Sequence, residues 1–323
     1  MSVLELFERH PGNPILTAGD WPYPVNAVFN PAAAVHDGET VLVARVEDRR
    51  GISHLTVARS ANGVDGWTIA PEPLLAAADG IASERWGFED ARVVWLEELG
   101  QWAITCTAYG PAGPAVFLAT TEDFKTVQRR GVVKHPEDKN AALLPHRIGG
   151  LWVLLHRPKT EFGGAHGEIV LSRSDDLVSW SAPEQVLQPR VGAWWDSLRI
   201  GIGPPPLRTE HGWLLIYHGV KGTVAGDMYR VGLALLDLDD PTRVLRRLPT
   251  WILAPFADYE RTGDVPNVVF PCGLLYDEDT DEIRLYYGAA DSSICLATAR
   301  LRDLIEALLA APGSLIPSPA PID

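Results

Sequence analysis

Apolar positions along the chain fall into five short runs of one layout, each closing on small or hydroxyl residues: LTVARS (55–60), VFLATT (116–121), IVLSRS (169–174), VGLALL (231–236) and ICLATA (294–299). Taking Val57, Leu118, Leu171, Leu233 and Leu296 as markers, the spacings are 61, 53, 62 and 63 residues. That period is too long for a solenoid and suits a multi-stranded unit, so the prediction is an all-β, five-bladed propeller. Two further strands joined by a Gly- or Asp-bearing turn precede each marker: 29–46, 88–109, 140–157, 203–219 and 270–291. After the markers come proline-led apolar segments that predict the outer strands: PEPLL (71–75), PEQVL (183–187) and PTWIL (249–253). GVVKHPED (131–138) fits this role poorly.

No such segment follows Leu296, while the N-terminus carries an unassigned one, PGNPIL (11–16). Closure of the ring by the N-terminal strand accounts for both and removes open sheet edges. Beyond the last blade, LRDLIEALLAA spaces Leu301, Leu304, Ile305, Leu308 and Leu309 as one helix face. A C-terminal helix over 300–311 and a Pro-rich tail over 312–323 are expected. Five like repeats argue against division, so residues 1–323 read as a single domain.

A net charge of -14 excludes a general polyanion-binding surface, which needs clustered Lys and Arg, so no nucleic-acid partner is expected. No run of 18 apolar residues occurs, and Glu5, Glu8 and Arg9 interrupt any signal-like start. The expectation is a cytoplasmic protein without a membrane partner. Cys106, Cys272 and Cys295 form no ligand spacing and are odd in number; all fall in predicted strands and read as buried thiols. No metal constellation is apparent, and none is expected.

In a propeller the start of each first strand and the end of each second share one face. Those positions hold Asn30 with Arg45 and Asp48; Glu89 and Asp90 with Tyr109; Lys139 with Arg157; Arg199 with Tyr217 and His218; and Asp291. Each has a structural alternative, such as an Arg45–Asp48 pair or an Asp90–Arg92 lock. Ionisable groups converging from all five blades instead favour a polyhydroxylated or anionic small-molecule ligand, since unpaired buried charge is costly. Strand alternation would let only one of Glu89 and Asp90 address the channel, without saying which. His36, His146 and His211 fall in hairpin turns, and His156 should point away from Arg157 into packing. Trp67 and Trp180 follow their markers at similar offsets and read as packing residues. For Trp86, Trp194 and Trp195, packing and sugar stacking serve equally well.

The segments GFEDARVV (87–94), KNAALLP (139–145), HRP (156–158), GIGPPP (201–206), GWLLIYHGV (212–220), YRVGLALLDLDDP (229–241) and DVPNVVFPCG (264–273) resemble glycoside hydrolase family 130, the β-mannoside phosphorylases and related mannosidases. The resemblance spans nearly the whole chain and implies a five-bladed propeller. It further implies inverting phosphorolysis of a β-mannoside to α-mannose 1-phosphate, with inorganic phosphate as co-substrate and no cofactor. By similarity Asp90 is the catalytic acid, passing its proton through the O3 hydroxyl of the mannosyl ring. The phosphate site is assigned to Arg45, Lys139, Arg157 and His218, and sugar recognition to Asn30, Asp48, Tyr109 and Asp291. The sequence departs from the family pattern at Asn140, where Asp is expected, and at Ala91, where Pro is expected. Hydrolysis by water and a non-catalytic sugar-binding propeller are the alternatives. Linkage, acceptor sugar and oligomeric state, a homo-oligomer included, are left open.

Overall fold

The computed structural model describes residues 5–159 and 167–311; the Pro-rich tail lies outside the described residues. Five antiparallel sheets follow one another along the chain. Blade 1 comprises Ala27–His36, Glu39–Glu47, Ser53–Ser60 and Thr68–Ile69; blade 2 comprises Phe88–Leu96, Gln101–Gly110, Gly113–Thr121 and Gln128–Lys134. Blade 3 holds Asp138–Leu143, Trp152–Pro158, Ile169–Ser174 and Glu184–Leu187. Blade 4 holds Arg199–Ile202, with the short Leu207–Thr209 beside it, then Gly212–Thr223, Gly226–Leu236 and Val244–Arg247. Blade 5 holds Val269–Asp277, Glu282–Ala289 and Ser293–Arg300. All five apolar runs lie in the third strands. Neighbouring blades cover both faces of these strands, so the runs read as nearly continuous rather than alternating.

Two short N-terminal strands, Glu8–Arg9 and Leu16–Thr17, pair antiparallel with Ser293–Arg300 and complete blade 5. Between them Asn13 exchanges hydrogen bonds with the backbone of Leu296, at 2.8 Å in each direction. Arg9 donates to the buried carboxylate of Glu260 at 2.8 and 3.0 Å. Each blade interface has its own apolar cluster. Phe88, Val93 and Phe117 meet Leu55 and Val57 between blades 2 and 1, and Leu42 and Val46 meet Tyr286 and Leu296 between blades 1 and 5. The helix Leu301–Ala310 docks Leu304, Ile305 and Leu308 on the blade 4–5 cluster. Leu309 instead faces solvent, at 45% exposure.

The outer strands differ from expectation. Only PEQVL is itself an outer strand; in blades 1 and 4 the strand comes earlier (Thr68–Ile69, Val244–Arg247), and Leu75 and Leu253 add single bridges. In PEPLL a second proline, Pro73, removes a further N–H from the segment. In blade 2 the edge strand Gln128–Lys134 is bulged twice, which explains its poor pattern. Cys106, Cys272 and Cys295 are buried free thiols. No helix among the described residues is long and apolar enough to cross a membrane.

Candidate functional site

In blades 1, 2 and 3 the first strand bulges at the same place, between Phe29 and Ala32, Glu89 and Arg92, and Lys139 and Ala142. Each bulge holds an Asn or Asp in left-handed backbone: Asn30 (φ 46°), Asp90 (φ 50°) and Asn140 (φ 53°). These are the residue types that tolerate that conformation, and its recurrence at one rim marks a site. Asp291 (φ 49°) adds a fourth from blade 5. The side chains converge on a cavity of about 170 Å³ lined by Asn30, Arg45, Asp90, Lys139, Asn140, Arg157, His218, Tyr229, Val265, Val268, Phe270 and Asp291. Gly288 and Gly201 let this happen: a Cβ at the first would overlap Asn30, and at the second the His218 ring.

One side of the cavity is organised around Asp90. Its Oδ1 accepts from Asn30 Nδ2 at 2.9 Å and Arg45 Nη1 at 3.2 Å. Arg45 also donates to Glu89 Oε1 at 3.2 Å and Ser53 Oγ at 2.9 Å. Burial acts to raise the Asp90 pKa, but Arg45, Arg92 and Lys139 outweigh it and hold the carboxyl below its ordinary value. Asp291 goes the other way: desolvation, then the charge of Asp90, pushes it up to about 7. The bulge defeats simple alternation, because Glu89 and Asp90 both reach Arg45. Asp90 lines the cavity, while Glu89 braces the cations, with Oε2 at 3.7 Å from Lys139 Nζ. Arg92 is not a partner of the Asp90 carboxylate. Fully buried, it donates to the backbone carbonyls of Asp90, Ile202 and Gly203, pinning the bulge to blade 4.

The other side is cationic. Lys139 and Arg157 are register partners on adjacent strands. Among the described residues, no carboxylate pairs with Arg157; with its amide oxygen turned inward, Asn140 accepts from Arg157 Nε at 3.2 Å and Nη2 at 3.3 Å. Burial and the neighbouring Arg199 bring Arg157 down to about 10, and burial also lowers Lys139. His218 is 1% exposed, and its Nδ1 has no partner among the described residues. Burial, then the charges of Arg157 and Arg92, drive its pKa well below the ordinary imidazole value. In the empty site His218 therefore favours its neutral form, a hydrogen-bonding group. Its ring packs 4.6 Å from Phe270 and 5.9 Å from Tyr229. Among the described residues no group of three His, Cys, Asp or Glu side chains is placed to hold a metal.

The family model described as beta-1,4-mannooligosaccharide phosphorylase matches residues 8–309. The chain belongs to glycoside hydrolase family 130. It is 33% identical over 305 residues to the beta-1,4-mannooligosaccharide phosphorylase of Ruminococcus albus, covering 92% of this chain and 89% of that one. It is 35% identical over 288 residues to a 1,2-beta-oligomannan phosphorylase of a Thermoanaerobacter species, covering 86% and 91%. A structure of the beta-1,2-mannobiose phosphorylase of Listeria innocua, complexed with beta-1,2-mannobiose, superposes with a TM-score of 0.86 at 29% identity, covering 94% and 99%.

Of the residues singled out in this family-130 sequence, Asn30, Arg45, Asp90, Lys139, Arg157, His218 and Asp291 share the cavity, whereas Asp48 and Tyr109 do not line it. Asp48 is engaged by Arg50 side chain and backbone and by the Ile52 N–H, in a turn. It does not pair with Arg45. Tyr109 is half-exposed at the end of its strand, edge-on to Trp86 at 5.1 Å. Tyr217 turns to the opposite face from His218 and donates to buried Asp196 at 3.0 Å. Trp195 packs on Tyr217, and Trp194 lies under Arg190. Asn140, Tyr229 and Phe270 were not assigned to the site from sequence. Asn140 carried a usable signal, since Phe-Asn-Pro-Ala, Glu-Asp-Ala-Arg and Lys-Asn-Ala-Ala occupy one repeat position. Pro31 and Ala91 are equivalent there, and Asp90 keeps the Asn30 conformation without a following proline.

Proposed function

We propose that this chain is an inverting β-mannoside phosphorylase acting through the cavity of Asp90, Lys139 and Arg157. A phosphate oxygen attacks the anomeric carbon from the Lys139–Arg157–His218 side, the glycosidic C–O bond breaks, and α-mannose 1-phosphate leaves with the acceptor sugar. The proton reaches the leaving oxygen from Asp90 through the mannosyl O3 hydroxyl, as the family resemblance implies. The observation that carries the reading is the asymmetry of the cavity: a carboxylate with satisfied donors faces a guanidinium with no carboxylate partner among the described residues. Phosphate is already anionic and requires no general base, so one carboxylate suffices. An inverting hydrolase needs a second carboxylate about 6.5–9.5 Å away to activate water.

The electrostatics connect the two sides. Asp90 is ionised in the empty site because cations surround it, Lys139 among them. A bound phosphate neutralises part of that field and raises the proton affinity of Asp90, so nucleophile binding charges the acid. Arg45 holds Asp90 and also lines the cavity, which places it between the two groups. Asn30 and Asp291 offer acceptors and donors to the sugar hydroxyls. The related enzymes' names include β-1,4 and β-1,2 linkages, so the assay takes a panel of mannosides with and without phosphate. Phosphate-dependent mannose 1-phosphate is the expected product; phosphate-independent mannose release refutes the proposal.

A further inference from the structure

Beneath the cationic side runs a buried polar chain that the reaction does not touch. Lys139 and Arg157 face each other across antiparallel strands, a placement that like charges oppose. One residue before each cation stand Asp138 and His156. His156 Nδ1 lies 2.6 Å from Asp138 Oδ2, and His156 Nε2 lies 3.0 Å from Ser172 Oγ. Ser172 Oγ in turn accepts from Lys134 Nζ at 3.0 Å. The chain therefore ties three strands of blade 3 to the edge strand of blade 2. Asp138 is 4% exposed, and His156 and Ser172 are 0% exposed. The order Asp–His–Ser matches a hydrolytic triad, but no substrate can reach a hydroxyl buried in the sheet.

We propose that Asp138 and His156 are positioning residues for the phosphate site, fixing the backbone and carboxylate that hold Lys139 and Arg157 in apposition. The inference rests on the phosphorylase reading above. Two long cations held side by side lose less freedom when an oxyanion arrives than two that must first be ordered. The carboxylate of Asp138 also acts on Arg157, partly offsetting the repulsion from Arg199 and Arg92 while the site is empty.

The test is steady-state kinetics of the full chain with phosphate and mannoside varied independently, for His156→Ala, Asp138→Ala, Asp138→Asn and, as a reference for the site itself, Lys139→Ala. His156→Ala and Asp138→Ala should raise the phosphate KM on the order of tenfold, the size expected when a group orienting a ligand-binding residue is lost. The mannoside KM should stay within about twofold, because the sugar side is held by other elements. Asp138→Asn keeps an acceptor for the imidazole N–H and should restore most of the phosphate affinity. Equal rises in both KM values, or a fall in kcat alone, overturns the positioning role; so does Asp138→Asn behaving like Asp138→Ala. If His156→Ala does not fold, the Asp138 pair decides. An unaffected phosphate KM in Lys139→Ala sinks the phosphate-site reading itself. A normal Lys139→Ala response beside silent Asp138 variants sinks only the positioning role.

Discussion

Arg157→Met removes the guanidinium while keeping a long side chain in its place. Among the described residues the hydrogen-bond partner of the Arg157 side chain is a neutral amide, Asn140, and Lys139 and Arg199 lie close by. A charged hydrogen bond lost from a buried site costs about 1.5–3 kcal/mol, which is roughly a 10- to 150-fold rise in the phosphate KM. The same change relieves repulsion, so the empty protein should melt no lower than wild type, in contrast to breaking a buried ion pair, which costs about 3–5 kcal/mol. Saturating phosphate should raise the wild-type Tm, by linkage, and raise the variant's much less at the same concentration. The assay is initial-rate kinetics over a phosphate series at saturating mannoside, paired with calorimetry with and without phosphate. An unchanged phosphate dependence would place phosphate away from Arg157, and a large loss of stability in the empty variant would show that the guanidinium is paired there.

Other perturbations separate the roles of neighbouring residues. Asp90→Asn keeps an acceptor for Asn30 and Arg45 but cannot deliver a proton; turnover should fall by about 10²–10⁴-fold with a near-native melting curve, and substantial retained activity moves the acid to Glu89. Asp291 has its folded pKa raised to about 7 from an unfolded value near 3.9. Its contribution to stability is therefore complete below the unfolded pKa and is lost as pH rises through about 7. Asp291→Asn should flatten the fall in Tm of the empty protein between pH 5 and pH 8, and parallel curves would refute the shift.

Much of the architecture was legible because a repeat reports its own period: five markers spaced alike give five blades, and an unmatched end at each terminus gives the closure. Inner positions of the rim were legible for the same reason, since the repeat brings the start of each first strand, with Asn30, Asp90 and Lys139, to one rim. What failed did so locally. Alternation between Glu89 and Asp90 broke because a left-handed residue inserts into the strand. Asp48 was lost to its own turn, where Arg50 sits two residues away. Tyr229 and Phe270 enter the cavity from an extended hairpin and the blade 5 entry strand, and no polar pattern announces an aromatic wall. The amphipathic helix gave up Leu309 because its docked face is narrower than five leucine-like positions. The chain beneath Lys139 has no sequence signature, because His156 and its partners Asp138 and Ser172 come from separate strands.

On the phosphorylase reading, phosphate and not water is the nucleophile in the Asp90 cavity. The decisive measurement follows a β-mannoside panel by phosphorus NMR for the sugar phosphate and by proton NMR for free mannose, with and without inorganic phosphate. The expected result is α-mannose 1-phosphate when phosphate is present and negligible free mannose in its absence. Mannose released at the same rate without phosphate, and no phosphorylated sugar with it, would make water the nucleophile.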